Sequence, residues 1–275
     1  MRLRPGSVGG LPLALAAWVA LVFLLLPLVV VIGVSFTETA YLAFPPQGFT
    51  LDWYGKLLRD ASYVDAFALS AELALAATVL AVSLGLPAAL VIGRKRFPGR
   101  ELISALFMSP LILPNIVIGV AILQYASALG WARTFWALLA GHVVMVLPYV
   151  LRTTLAALAG VEPSIEEAAQ DLGASPALTF FPITLPHIKT GVVAGALFAF
   201  IMSWINVEVS IFQTKAELMT LPVKLFNYVQ FNVDPLLAAV SSVTIYLAVA
   251  AVFVLDLVVG IEKAGATRRS PREPS

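Results

Sequence analysis

Residues 167–173 read Glu-Ala-Ala-Gln-Asp-Leu-Gly, and residues 183–186 read Ile-Thr-Leu-Pro. Both lie in a polar segment, residues 158–189, of a chain in which 60% of the 275 residues are hydrophobic and only 12% are charged. A soluble protein carries about 25% charged residues. A polar block of this length in so apolar a chain predicts a segment that lies outside a membrane and contacts something there.

Apolar runs on both sides of this segment are long enough to cross a bilayer, which takes about 20 residues. We place six spans at residues 11–34, 66–92, 101–127, 135–157, 190–212 and 236–261. The first is too long for the core of a signal peptide, and no small-residue cleavage site follows it, so it is expected to remain as a helix. The sequence therefore predicts an all-α polytopic membrane protein. A six-helix domain, residues 11–262, lies between a short N-terminus, residues 1–10, and a disordered tail, residues 263–275.

Lys and Arg are unequally divided between the two sides of this topology. Twelve lie on the side of the termini and of the polar segment, and five lie on the other side. Because cytoplasmic loops carry the excess of these residues, both termini and residues 158–189 are predicted to be cytoplasmic. The charges lie in loops and the net charge is only +1, so nothing indicates a nucleic-acid partner.

The polar segment begins with the pattern of a short amphipathic helix. Ser164 and Glu167 have the spacing of a capping box, and Gly173 is placed to end the helix in the left-handed conformation. Between them, an apolar stripe is formed by Ile165, Ala168, Ala169 and Leu172. The other face carries Glu166, Glu167, Gln170 and Asp171.

A second short helix is predicted after the glycine turn. Ser175 suits the N-cap and Pro176 the first helical position. Pro182 and Pro186 are expected to break this helix before the fifth span begins.

An amphipathic helix between spans often lies at the membrane interface, and Glu167 could serve only as a cap. Interfacial helices, however, usually carry Lys and Arg on the polar face. The three acids and one Gln found here favour docking into a basic groove of a protein partner.

The spacing Glu-Ala-Ala, three residues, Gly, nine residues, Ile-x-Leu-Pro is the EAA signature of the membrane subunits of binding-protein-dependent ABC importers, which this chain resembles. The matching positions are Glu167, Ala168, Ala169, Gly173, Ile183, Leu185 and Pro186. One neighbouring position departs, since Thr190 precedes Gly191 where relatives usually have Pro. Further stretches are similar to the spermidine/putrescine-type permeases, and more closely to the second of their two permease subunits. These stretches are residues 49–54, 94–100, 110–114 and 232–242.

The resemblance implies a type I ABC importer permease fold of six helices with a cytoplasmic coupling helix, in a bacterial inner membrane. It implies that the coupling helix docks on an ATPase dimer through Ser164, Glu166, Glu167, Ala168, Ala169, Asp171, Gly173, Ala174, Ser175 and Pro176. ATP and Mg would be bound by that partner, and no cofactor is expected in this non-catalytic chain. A sister permease, in a heterodimer rather than a homodimer, and an external solute-binding protein complete the implied assembly.

Acidic residues inside spans are costly and indicate functional positions. Glu72 and Asp256 lie towards span ends and are interpreted as structural. Around Glu208, the stretch Ser203–Ser210 places Trp204 and Asn206 beside the carboxylate, a combination that suits a cationic solute. Trp204, Asn206 and Glu208 are therefore predicted to line the translocation path, with helix–helix hydrogen bonding or ordinary interfacial placement as the alternatives.

The sequence indicates the solute less specifically than it indicates the class of protein. Polyamine permeases tend to carry acidic residues where this chain has Ile205 and Asn206. A small organic solute, polyamine-like or related, is the prediction.

Two packing features accompany this patch. Gly191 and Gly195 form a GxxxG pattern, which favours close helix packing and leaves a subunit interface open. Pro110 and Pro114 are expected to kink the third span, with Asn115 near the freed backbone groups.

Two other classes of protein fit the sequence less well. An intramembrane enzyme would need a nucleophile with its base or a metal cluster, but the two histidines, His142 and His187, lack ligand spacing and there is no cysteine. A gradient-driven secondary transporter fits the composition better. That class usually shows interrupted helices in two matching halves, which the sequence lacks. The chain also has no Gly-x4-Gly-Lys-Ser/Thr loop, so energy from ATP requires a partner.

Overall fold

The computed structural model describes the backbone of residues 10–267 and the side chains of residues 12–253. Within this range the chain folds almost entirely as helix, and the predicted all-α class is confirmed. The helices are α1 Gly10–Val34, α2 Asp52–Arg59, α3 Ala61–Arg94, α4 Arg100–Met108, α5 Asn115–Ala128, α6 Phe135–Ala159, α7 Pro163–Asp171, α8 Pro176–Thr179, α9 Leu185–Trp204, α10 Ser210–Gln213, α11 Leu221–Val229 and α12 Pro235–Thr267.

Five helical segments among the described residues are long and apolar enough to cross a membrane. They are Pro12–Val34, Ala61–Arg94, Phe135–Ala159, Pro176–Trp204 and Pro235–Phe253. A sixth span results only if the pair α4 and α5, bent by 104°, counts as one. The predicted spans are thus found in the structure, but two of them are not simple uninterrupted helices.

The third span, predicted over residues 101–127, is broken in the middle. A 3-10 turn at Ser109–Leu111 follows α4, and Pro114 is extended at φ −57°, ψ 132° before α5 begins. Proline lacks an N–H and disfavours helix in the residue before it, which explains the break. The predicted kink is confirmed, and at 104° it is a sharp turn of the chain.

The fifth span, predicted over residues 190–212, begins earlier and ends earlier than expected. Pro182 and Pro186 do not break the second helix: a π-turn at Phe180–Thr184 joins α8 to α9, giving one helical segment from Pro176 to Trp204. Pro186 follows the π-turn directly, at the second residue of α9. The helix stops at Trp204, and residues 205–209 are not helical.

The sixth span, predicted to end at residue 261, continues as α12 to Thr267. Residues 263–267, expected to be disordered, are helical, because each residue added to an existing helix gains a hydrogen bond at little further cost. The rest of the predicted tail, residues 268–275, lies outside the described range. So does the side chain of Asp256, the acid predicted to be structural.

The chain divides into two compact units, and the larger comprises residues 65–226 and 250–275. Its core is built from α3, α5, α6 and α9 around Leu73, Ile118, Val146 and Ala199. A Cβ atom at Gly195 would lie 2.9 Å from the Val150 Cα atom of α6. The GxxxG pattern therefore packs α9 on α6 within the same chain, and the predicted close packing is confirmed.

The smaller unit comprises residues 1–64 and 227–249. Trp53 of α2 anchors the loop that follows α1 by donating from Nε1 to the Thr37 carbonyl oxygen at 2.8 Å, and Tyr54 shares a 2.7 Å hydrogen bond with Ser35. The side chains of α1 are exposed almost throughout, which suits a helix whose surroundings are lipid or another chain.

Candidate functional site

The polar segment forms the predicted pair of short helices, α7 and α8, but α7 begins differently from the prediction. Glu162 is its N-cap, Pro163 is its first residue, and no side chain caps it. The capping box of Ser164 and Glu167 is therefore wrong. Proline suits the first helical position, where its missing N–H is no loss, so the helix starts at Pro163, two residues before the Ile165 start that a Ser164 cap predicts.

The turn between α7 and α8 has the predicted glycine at its centre. Gly173 adopts φ +90°, and the Gly173 and Ala174 amides donate to the carbonyls of Gln170 and Ala169 at 2.9 and 3.0 Å. This is a Schellman motif, which satisfies the last carbonyls of a helix. Ser175 caps α8 by accepting from the Leu178 amide at 3.3 Å, as predicted.

Glu166 does not lie on the outer face with Glu167, as the helical pattern predicted. Its carboxylate pairs with the Arg94 guanidinium, at 2.9 Å from Nε and 3.2 Å from Nη2, and accepts from Thr184 Oγ1 at 2.9 Å. Only 12% of the Glu166 side chain is exposed. A docking contact through this side chain is inconsistent with that placement, because both oxygens are already engaged inside the chain.

The outer face of α7 is instead a mixed apolar and acidic surface. Leu172 is 91% exposed and Ile165 is 43% exposed, so most of the predicted apolar stripe faces outward. Glu167, Ala168 and Asp171 are exposed beside it. Of the other predicted docking residues, Ala169 and Ala174 are half-buried, and Ser164, Gly173, Ser175 and Pro176 are exposed.

The interruption of the fifth span lies between α9 and α10. The Asn206 side chain accepts from the Val209 amide at 2.8 Å and donates to Met145 Sδ at 3.0 Å. Asn side chains compete in this way with the helical hydrogen-bond pattern. The break is thus encoded by Asn206, a residue that the sequence analysis placed on the solute path.

His142 on α6 bridges the two sides of this break. Its Nδ1 lies 2.7 Å from Ser203 Oγ and its Nε2 lies 2.9 Å from Ser210 Oγ. Ser210 donates its own proton to the Asn206 carbonyl at 3.0 Å, so it accepts from Nε2–H while Nδ1 accepts from Ser203. The prediction that His142 is a hydrogen-bonded helix residue is confirmed, and this pattern of donors fits a neutral imidazole.

Two glycines let neighbouring helices approach the break. A Cβ atom at Gly119 of α5 would lie 2.8 Å from the Glu208 carbonyl oxygen, and one at Gly141 of α6 would lie 2.7 Å from Val209 Cγ1. Such distances leave no room for a side chain. The backbone that presents Glu208 is therefore held on two sides.

Glu208 is exposed and lines a cavity of about 310 Å³. The break of the third span forms the rest of the wall with residues of α6: Pro110, Leu111, Leu113, Pro114, Asn115, Ile116, Met145 and Tyr149. Two interrupted spans thus meet at one carboxylate. Breaks in membrane-spanning helices are tolerated where the irregular backbone lines a cavity.

Trp204 and Asn206 do not share this exposure. The Trp204 side chain is 2% exposed and packs on Phe67 and Phe200, with ring centroids 5.0 and 6.0 Å away. Asn206 is buried as well. Of the three residues predicted for the translocation path, only Glu208 faces open space in this structure.

Sequence reasoning missed Arg94 and Thr184 as part of the site. They lie 72 and 18 residues from Glu166 along the chain, so no local spacing connects the three. The position of Arg94 at the end of an apolar span, before Lys95 and Arg96, was the one available signal.

Comparison with known proteins identifies the type of chain. The family model for the inner membrane component of binding-protein-dependent transport systems matches residues 81–262. The chain belongs to this family. It is a non-catalytic, multi-pass permease of the inner membrane, and the EAA signature that indicated this class lies within the matched region.

The permease is similar to curated relatives over most of its length. It is 32% identical to the spermidine/putrescine transport system permease protein PotC of Haemophilus influenzae over 241 residues, which cover 88% of this chain and 93% of the relative. It is 34% identical to the putrescine transport system permease protein PotI of Escherichia coli (strain K12), with 80% of each chain covered. These likenesses confirm the predicted resemblance to polyamine-type permeases.

Solved structures support the fold. A chain of a bacterial ABC transporter that imports the acidic polysaccharide alginate aligns with a TM-score of 0.72, at 15% identity, over 93% of this permease and 98% of that chain. The predicted importer permease fold is confirmed.

Proposed function

We propose that this permease couples solute import to ATP hydrolysis by a separate cytoplasmic ATPase, and that the exposed face of α7 is the docking surface. The observation that carries the proposal is the pairing of exposed Leu172 and Ile165 with the acids Glu167 and Asp171. An apolar patch rimmed by charge is typical of an interaction site. The ATPase dimer binds ATP and Mg, and both termini of the permease share its side of the membrane.

The charge on the α7 face favours a protein partner over the lipid surface. Anionic lipids attract Lys and Arg and repel carboxylates. Exposed acids beside an apolar stripe suit a groove lined with basic side chains, where complementary charge fixes the register of docking.

A second permease chain is part of the proposal. Glu72 is exposed on α3, about 16 Å along the helix from Ala61 at 1.5 Å per residue. A carboxylate that faces lipid inside a span is unfavourable. Another subunit that covers Glu72 or keeps it beside a water-filled path would remove this cost, and we infer a sister permease in that role, with an external solute-binding protein delivering the solute.

The test is co-purification from the native membrane in mild detergent. We expect a tagged wild-type chain to retain an ATPase and a second permease at fixed ratios. Recovery of the chain alone, or only with itself, would overturn the proposal and favour a gradient-driven carrier.

For the solute, we propose a small organic cation of the polyamine type that passes the Glu208 cavity. The carboxylate supplies the negative charge, and the Tyr149 ring lining the same cavity suits a cation–π contact. The printed names of the relatives point to spermidine and putrescine for those proteins. The alginate importer has the same fold and an acidic solute, so the proposal depends on Glu208 rather than on the fold.

Replacing Glu208 by Gln keeps the shape of the side chain and removes its charge. We expect uptake of radiolabelled spermidine into proteoliposomes to fall by about tenfold or more, because a contact to a charged group contributes about 1.5–3 kcal/mol. Glu217→Gln, which removes an exposed carboxylate in an external loop, is the matched control. Unchanged uptake by E208Q with the ATPase still bound would remove Glu208 from the path.

A further inference from the structure

Four segments of the chain meet at the Arg94 side chain. Arg94 is the last residue of α3; its Nη2 donates to the Val161 carbonyl, just after α6, at 3.0 Å. Its Nε and Nη2 both bind Glu166 of α7. Thr184, at the junction of the π-turn and α9, donates to the same carboxylate. We refer to Arg94, Glu166, Thr184 and the Val161 carbonyl as the Arg94 latch.

The latch has the geometry of a strong interaction. Arg94 and Glu166 form a two-pronged contact, which fixes direction as well as distance. Their side chains are only 18% and 12% exposed, so water and salt screen the pair less than a surface pair. Oε2 of Glu166 accepts from Nε, and Oε1 accepts from Nη2 and from Thr184.

Apolar packing alone does not fix the position of α7. None of the nine residues of this helix is fully buried; Ile165, its largest apolar residue, is exposed, and so is Leu172 directly after the helix. A helix of this length is marginal on its own. Beyond the flanking turns, the latch is the most specific link that the described residues provide between α7 and the membrane spans.

We propose that Arg94 and Glu166 are positioning residues that make α7 move together with the cytoplasmic ends of α3 and α9. The proposal rests on the proposed docking of α7 to an ATPase. Force applied to the exposed face of α7 then reaches two spans at once, and α9 leads directly to the break that presents Glu208. Without the latch, α7 still docks but shifts relative to the spans, and hydrolysis is no longer converted into transport.

The variants Glu166→Gln and Arg94→Gln each remove one charge of the pair. Arg94→Lys keeps the charge but loses the planar two-pronged contact. Glu101→Gln, on the exposed surface of α4, is the control. In complete complexes reconstituted in proteoliposomes, we expect E166Q and R94Q to retain the ATPase and its hydrolysis, while uptake per ATP falls at least about fivefold; R94K should be intermediate and E101Q unchanged.

A distance measurement tests the position of α7 directly. The chain has no cysteine, so Lys95→Cys and Gln170→Cys place two spin labels uniquely, one beyond α3 and one on α7. We expect a narrow distance distribution in the otherwise wild-type permease and a broad one in E166Q and R94Q.

Unchanged uptake per ATP together with narrow distributions in E166Q and R94Q would overturn the latch. Loss of the ATPase from E166Q with a narrow distribution would also overturn it, because Glu166 would then be a docking residue. Failure of the proposed function has a different signature, a wild-type chain that retains no ATPase. The spin-label distances are measured within the permease and need no partner. They therefore test the latch even if the wild-type chain retains no ATPase.

Discussion

Replacing Glu167 by Lys is expected to release the ATPase from the permease while the permease stays folded. Glu167 is exposed at the centre of the α7 face, next to Ala168, so its side chain contributes nothing to the interior. Reversing its charge against a basic groove replaces an attraction by a repulsion. Loss of a buried charge contact at an interface costs about 2–5 kcal/mol, so affinity for the ATPase should fall at least about thirtyfold.

The measurement is co-purification and ATP-dependent uptake in parallel, with Glu101→Lys as the control for an acid-to-lysine change on an exposed helix outside α7. E101K should retain both the bound ATPase and ATP-dependent uptake. Near-normal transport by E167K would argue strongly against docking through α7. A lower unfolding temperature of E167K would show that the side chain has a structural role that its exposure does not suggest.

The second large effect is expected at Gly119, which lies against the break in the fifth span. Gly119→Val would push a branched side chain onto the Glu208 carbonyl oxygen, 2.8 Å from the new Cβ, and onto Val209 Cα at 3.1 Å. Backbone cannot move aside as a flexible side chain can. Overpacking of this kind costs about 1–3 kcal/mol, and most transport should be lost because Glu208 is displaced.

Gly55→Val on α2 is the matched control, since a Cβ at Gly55 would meet nothing within 4 Å. It should show only the small propensity cost of a β-branched residue in a helix. Thermal unfolding in detergent and spermidine uptake are the two readouts. Wild-type values of both for G119V would mean that α5 does not hold the break in place.

Local signals in the sequence were sufficient to predict much of the structure of the polar segment, residues 158–189. Gly173 needs a positive φ, and Ser175 with Pro176 starts a helix, because each depends on its own backbone and its nearest neighbours. The long apolar spans followed from composition and length. The GxxxG pattern also predicted close packing correctly, since small residues permit it whatever the partner helix is.

Features that depend on distant residues could not be read in this way. Helical periodicity placed Glu166 with Glu167 outside, but an arginine 72 residues earlier turns Glu166 inward. The same periodicity placed Leu172 on an apolar stripe opposite the acids, and the structure exposes it together with Glu167 and Asp171. Trp204 and Asn206 suited a solute site because aromatic and amide side chains serve both in ligand binding and in packing. Only the fold shows that Trp204 packs on Phe67 and that Asn206 donates a hydrogen bond to Met145.

The start of α7 shows that a local sequence signal can also predict the wrong structure. The spacing of Ser164 and Glu167 predicts a helix that begins after Ser164, with Pro163 before it, whereas Pro163 is the first helical residue. Both roles are common for proline, and the capping-box spacing of Ser164 and Glu167 favoured the wrong one.

The π-turn at Phe180–Thr184 has a mechanical consequence. Because it joins α8 to α9 without a break, residues 176–204 form a single lever of 29 residues, about 43 Å long at 1.5 Å per residue. A tilt of about 5° about its Pro176 end moves the far end, at Trp204, by about 4 Å at that length. That displacement is comparable to the width of an aliphatic side chain, so a small tilt next to the Schellman turn is sufficient to reshape the cavity around Glu208.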